Sequence, residues 1–135
     1  MNKLLLKIVS PDGEIFSGEA NSIIVTTVNG ELQVLRGHAD LIAPLATGRA
    51  KITFADGTER SAAVSGGFIL VSKEETKVVA TTFEFADEID LSRANAAKQK
   101  AEDAIKAAKE AQEAEVAKAK LMRAISRISV ATGKS

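Results

Sequence analysis

With 135 residues, the chain has room for one ordinary domain or for one small domain plus an appendage, and its 45% apolar content is enough for a packed core. Its 18 Lys and Arg balance its 18 Asp and Glu, so no global field draws it to nucleic acid or an anionic membrane, and an electrostatic partner must be met by a local patch. The lack of Cys removes disulfides, thiolate nucleophiles and Cys-based zinc sites, one His leaves little for a transition metal, and five Phe without Trp or Tyr offer few platforms for stacking bases.

No apolar run approaches the roughly 18 residues that span a bilayer, and Met1-Asn2-Lys3 followed by Leu4-Leu5-Leu6 is too short for a signal segment. A cytoplasmic location is the expectation. Up to Asp87 the sequence reads as short strands separated by turn chemistry, with both Pro and every Gly but Gly133 in this part. Leu4, Leu6 and Ile8 alternate with Leu5, Lys7 and Val9 before a Pro11-Asp12-Gly13 turn. The run from Ile23 to Val28 meets Asn29-Gly30, and Lys51-Ile52-Thr53-Phe54 meets Asp56-Gly57, two dipeptides that predict hairpins closed by type I′ turns. Gly66-Gly67 leads into Phe68-Ile69-Leu70-Val71, and Thr76 to Phe85 is a last extended run. Strands at this spacing predict a sandwich or barrel over residues 1–87.

At Glu88 the composition turns to Ala, Lys, Glu and Gln, and residues 88–135 predict helix. Asp90 is placed to cap the helix N-terminus, with Ser92 as a later choice. Ala97, Ala101, Ala104, Ala108 and Ala111 form one seam; Ala114, Ala117, Leu121, Ala124, Ile128 and Ala131 form another, one step out of phase. Two helices fit this better than one, yet Glu110 to Glu115 holds no helix breaker, so a nearly continuous helix stays open. An alanine seam buries about one methyl per position, worth roughly 0.8 kcal/mol before entropy is subtracted. A ligand at about 100 times its dissociation constant adds about 2.7 kcal/mol to the state it binds, enough to tip so small a balance.

Gly133-Lys134-Ser135 mimics the end of a P-loop, but Ile128 stands where that motif needs Gly and no helix follows. The carboxylates Glu84, Asp87, Glu88 and Asp90 collect at a strand-to-helix junction, where acidic residues suit the helix dipole and need no acid-base role. His38 has no nucleophile or second ligand near it in sequence and reads as a turn or interface residue. Lys118, Lys120, Arg123, Arg127 and Lys134 make the last segment basic, either as a solvated face or as a surface for an acidic partner or bound phosphate. Arg123 and Arg127, four apart, share a helical face on which two guanidinium forks meet one polyphosphate.

Gly30-Glu31-Leu32, Leu35-Arg36-Gly37-His38, Ala43-Pro44-Leu45, Ser65-Gly66-Gly67-Phe68 and Ile89-Asp90-Leu91-Ser92-Arg93-Ala94, in this order, closely resemble the epsilon subunit family of bacterial F-type ATP synthases across nearly the whole chain. The resemblance implies a non-catalytic central-stalk subunit: an all-β N-terminal sandwich of about ten strands over 1–87, and a mobile two-helix regulatory hairpin over 88–135, α+β overall. It implies contact of the sandwich with the gamma subunit and the c-ring, with His38 at that surface. Extended helices would oppose ATP hydrolysis, their Lys118, Lys120, Arg123 and Arg127 meeting an acidic segment of the beta subunits in the alpha-beta head. The setting would be the cytoplasmic face of the bacterial membrane, peripheral and held there only through the complex, whether proton- or sodium-driven.

Some relatives bind ATP in the folded hairpin through an Ile/Leu-Asp-x-x-Arg-Ala motif, which this chain matches at Ile89, Asp90, Arg93 and Ala94. Residue by residue, Glu84, Lys100, Arg123 and Arg127 complete the implied site. No catalytic cofactor is implied, the ATP being regulatory and without a need for magnesium. Two positions depart from the pattern: Lys100 stands where ATP-binding relatives carry Arg, keeping the charge but not the fork, and Arg36 stands where the family usually has Pro. A purely mechanical brake without ATP sensing is the alternative; no nucleic-acid partner is expected.

Overall fold

The computed structural model describes residues 3–133. Eight strands run in chain order: β1 (Leu4–Ser10), β2 (Gly13–Ala20), β3 (Ser22–Thr27), β4 (Gly30–Leu35), β5 (Leu41–Pro44), β6 (Gly48–Thr53), β7 (Glu59–Val71) and β8 (Thr76–Phe85). A 3₁₀ turn (Ala86–Glu88) then leads to α1 (Leu91–Ala107) and α2 (Ala111–Thr132). Period-two patterning decides which side of each strand goes inward: in β1 the predicted Leu4, Leu6 and Ile8 are buried while Leu5 is exposed.

The sandwich arises because β7 and β8 each serve two layers. The first half of β7 pairs with β6, which continues to β3 and β4, and with the end of β8 from Thr82 to Phe85. The second half of β7 pairs with β5 and with Thr76 to Ala80 of β8, and β8 pairs in parallel with β1, which carries β2. Counted once in each layer, β7 and β8 bring the eight strands to the ten-segment sandwich that was expected. Both layers point their apolar faces at one core, whose members run from Leu4 to Phe85 and include the fully buried Leu6, Ile8, Ile23, Ile52, Ile69 and Val78.

Both expected hairpins form, but their turns are not type I′. That turn needs two central residues at positive φ, and among the described residues only glycines take such angles. In the β6–β7 hairpin Gly57 N–H donates to the Phe54 carbonyl (3.0 Å) and Phe54 N–H to the Thr58 carbonyl (2.9 Å), which leaves Gly57 alone at φ 87°. This is a three-residue loop with one left-handed residue. Asp56 stabilises it by accepting from the Thr58 hydroxyl (2.6 Å) and backbone N–H (2.9 Å), and these bonds, the hydroxyl's first, hold the Asp56 pKa below the ordinary aspartate value.

The helical part is a hairpin, which resolves the choice left open by the unbroken composition. Ala108 (ψ 128°) and Glu110 (ψ 150°) are extended, so the break comes without Gly or Pro, just before the stretch where the seams fall out of phase. Asp90 caps α1 as expected, its carboxylate accepting from Arg93 N–H at 3.1 Å, whereas Ser92 lies inside the helix. Ala94 and Ala101 of α1 and Ala117, Ala124 and Val130 of α2 are buried. Ala104 is exposed although the seam predicted otherwise, because the hairpin leaves a cleft at that level.

Candidate functional site

Where the hairpin lies on the sandwich, a cleft of about 420 Å³ opens between three elements. From α1 it takes Ala97, Lys100, Ala101 and Ala104; from α2, Lys120, Arg123, Ala124 and Arg127; from the sandwich, chiefly Val64, Thr82 and Glu84. Helical spacing explains the first two sets, since positions 97, 101 and 104 share a face of α1 and positions 120, 123 and 127 share a face of α2. On β8, Thr82 and Glu84 point outward because Phe83 and Phe85 between and beyond them go to the core. The cleft thus combines small apolar walls with four cations and one carboxylate.

The carboxylate is engaged. Arg127 Nε donates to Glu84 Oε1 at 2.7 Å and Nη2 to Oε2 at 3.3 Å, a two-pronged pair that ties α2 to β8. Arg49 Nη2 on β6 also reaches the Ser129 carbonyl near the end of α2 (3.4 Å). Among the described residues Lys100, Lys120 and Arg123 have no carboxylate partner. The open charge of the cleft is therefore positive, and a polyanion with an apolar portion is the ligand chemistry that its lining matches. No group of three or more His, Cys, Asp or Glu that could hold a metal is present among the described residues.

The residues singled out in the sequence separate into groups. Glu84, Lys100, Arg123 and Arg127 come together in the cleft, but Ile89, Asp90, Arg93 and Ala94 do not line it. Ile89 ends the 3₁₀ turn and Asp90 is spent as the cap of α1, while Arg93 and Ala94 lie in its first turn, with Ala94 buried. The two forks of Arg123 and Arg127 share the cleft, though that of Arg127 is occupied by Glu84. Lys120, read in the sequence only as a partner-binding residue, also lines the cleft; its spacing of three and seven from Arg123 and Arg127 was the available signal. Lys118 lies off the cleft and pairs with Glu115 at 3.6 Å, and Lys134 is outside the described residues. His38 is half-buried, its Nδ1 2.7 Å from the Ala39 carbonyl oxygen, in a separate cleft that shares no residue with the first.

A model of the ATP synthase delta/epsilon chain beta-sandwich domain matches residues 3–86, and one of the delta/epsilon chain long alpha-helix domain matches residues 87–132. The chain belongs to the ATP synthase delta/epsilon family. Among curated members of that family, the ATP synthase epsilon chain of Ruminococcus albus is 38% identical over 130 residues, covering 96% of both chains. That of Shouchella clausii is 37% identical over 134 residues, covering 99% of this chain and 98% of the relative. The resemblance carried by the five sequence strings is thereby borne out. A chain in the Euglena gracilis mitochondrial ATP synthase (OSCP/F1/c-ring) shares the fold at TM-score 0.79 and 21% identity, covering 90% of this chain and 77% of that one. A chain of the Tetrahymena thermophila mitochondrial ATP synthase central stalk/c-ring does so at 0.61 and 14%, covering 97% and 95%. Delta/epsilon members are subunits of ATP synthase, and no helix among the described residues here is long and apolar enough to cross a membrane.

Proposed function

We propose that this chain is a non-catalytic central-stalk subunit of an F-type ATP synthase whose helical hairpin senses ATP. The observation that carries the sensing role is the cationic cleft with alanine walls, closed only while α1, α2 and the sandwich lie together. A ligand that touches all three elements binds the folded hairpin and not the extended one, so it shifts the population toward the folded state by its differential affinity. When ATP is scarce the hairpin leaves the sandwich, and Lys120, Arg123 and Arg127 are freed to meet an acidic segment of the beta subunits and oppose ATP hydrolysis.

Docking to the stalk has its own surface. Pro44, Phe68, Val79 and Val9 pair in one row across β5, β7, β8 and β1, flanked by Ile42 and Leu70. Ile42 (69%) and Phe68 (51%) remain exposed with the hairpin in place, so this apolar face supports docking to gamma, and His38 is assigned with it to the gamma and c-ring side. The assembly would hold the chain at the cytoplasmic face of a bacterial membrane.

Calorimetric titration of the intact chain tests the reading. ATP should give a saturable heat, and Arg123→Ala should weaken binding by about tenfold, the loss of one charge-assisted contact. No heat up to millimolar ATP removes the sensing role. A mechanical brake is the second reading, favoured by the Glu84–Arg127 pair, which holds the hairpin down without any ligand. It predicts that removing residues 88–135 relieves inhibition while ATP leaves the isolated chain unchanged.

A further inference from the structure

Among the described residues three cations of one cleft, Lys100, Lys120 and Arg123, have no carboxylate partner, and like charges gathered at one site raise the free energy of the closed hairpin. Arg127 does not share the difficulty, being neutralised by Glu84. A phosphate chain lying in the cleft would therefore have to be balanced by Lys100 from α1 and by Lys120 and Arg123 from α2. The contrast with Lys118 is informative. That residue is two positions away on the same helix, is exposed outside the cleft and has its own carboxylate in Glu115.

We propose that Lys120 is a phosphate-binding residue of this cleft, acting with Lys100 across the two helices so that the polyphosphate of a bound nucleotide bridges α1 to α2. The inference rests on the nucleotide reading above and adds a consequence to it. The ligand holds the helices to each other as well as to the sandwich, so charge that opposes closure in the empty cleft favours closure in the filled one. Lys100 and Lys120 are both exposed at the cleft mouth, where water and salt reach them. Their contribution should therefore be strongest at low ionic strength and fade as the screening length falls from about 8 Å at physiological salt to about 3 Å at molar salt.

The test titrates the full chain with ATP and, separately, with inorganic tripolyphosphate at low and high salt, comparing Lys120→Met, Lys120→Arg, Lys118→Met and Arg123→Ala. Lys120→Met should raise the dissociation constant about threefold to tenfold at low salt and by less at high salt. Lys120→Arg should restore binding, and Lys118→Met should leave it unchanged. Circular dichroism of the unliganded variants checks that the hairpin still forms. If Lys120→Met binds ATP like the unmodified chain at both salts while Arg123→Ala loses it, the role of Lys120 is overturned and the ATP reading stands. Uptake of tripolyphosphate but not ATP, with the same dependence on Lys120, upholds the role of Lys120 and overturns the nucleotide. Uptake of neither overturns both.

Discussion

At Gly67 the backbone takes φ 98° where β7 passes from one layer to the other, and a Cβ there would overlap the Val79 carbonyl oxygen of β8. Both the angle and the missing atom are required, so no rotamer change elsewhere can accommodate a side chain. Gly67→Ala should cost more than about 3 kcal/mol and lower the melting temperature by more than about 10 °C, read by calorimetry on the apo chain. At this scale the sequence was only partly legible. Asp90 announced a cap, because that effect is local, whereas Gly66-Gly67, which stood in the sequence only as the lead into an extended run, lies inside the continuous strand β7. The Glu84–Arg127 pair joins residues 43 positions apart and has no local signature. The type I′ expectation failed for the same reason: Asn-Gly and Asp-Gly permit that turn, but register across the strands selects which residues the loop holds, Val28 and Asn29 between Thr27 and Gly30 in one hairpin and residues 55–57 between Phe54 and Thr58 in the other.

Among the elements, α1 and α2 are distinguished by how little holds them. Their buried positions are four alanines and Val130, whereas the sandwich core is built from Leu, Ile, Val and Phe. Local terms therefore matter more in the hairpin than in the strands. Asp90→Ala, which removes the cap bond to Arg93 N–H, should cost about 1 kcal/mol and speed amide exchange in the first turn of α1. Asp90→Asn should restore protection, since an amide oxygen caps as well as a carboxylate. If the charge of Asp90 also serves ATP, the Asn variant will keep the helix and lose affinity, which separates the two roles. The seam pattern correctly named Ala101, Ala117 and Ala124, but placed Ala104 inside. Periodicity identifies a face of a helix and not what lies opposite it, and opposite Ala104 there is a cleft.

The molecule as a whole consists of a sandwich with its own core and a helical hairpin packed on it. No helical residue belongs to the main core among the described residues, so that core would lose little without the hairpin. A fragment of residues 1–87 should fold with a single cooperative transition, while residues 88–135 alone should show little helix, because isolated helices of this length without a partner face are marginal. Denaturation of the two fragments followed by circular dichroism checks both. What the sequence determined by itself was carried by short-range regularity: strands by alternation, helices by composition, the cap, and the family through five ordered strings. Tertiary structure decided the rest. Which layer each half of β7 and β8 joins, where the hairpin breaks, and which cations face one another depend on contacts between residues far apart in the chain, and such contacts leave no period for a sequence to display.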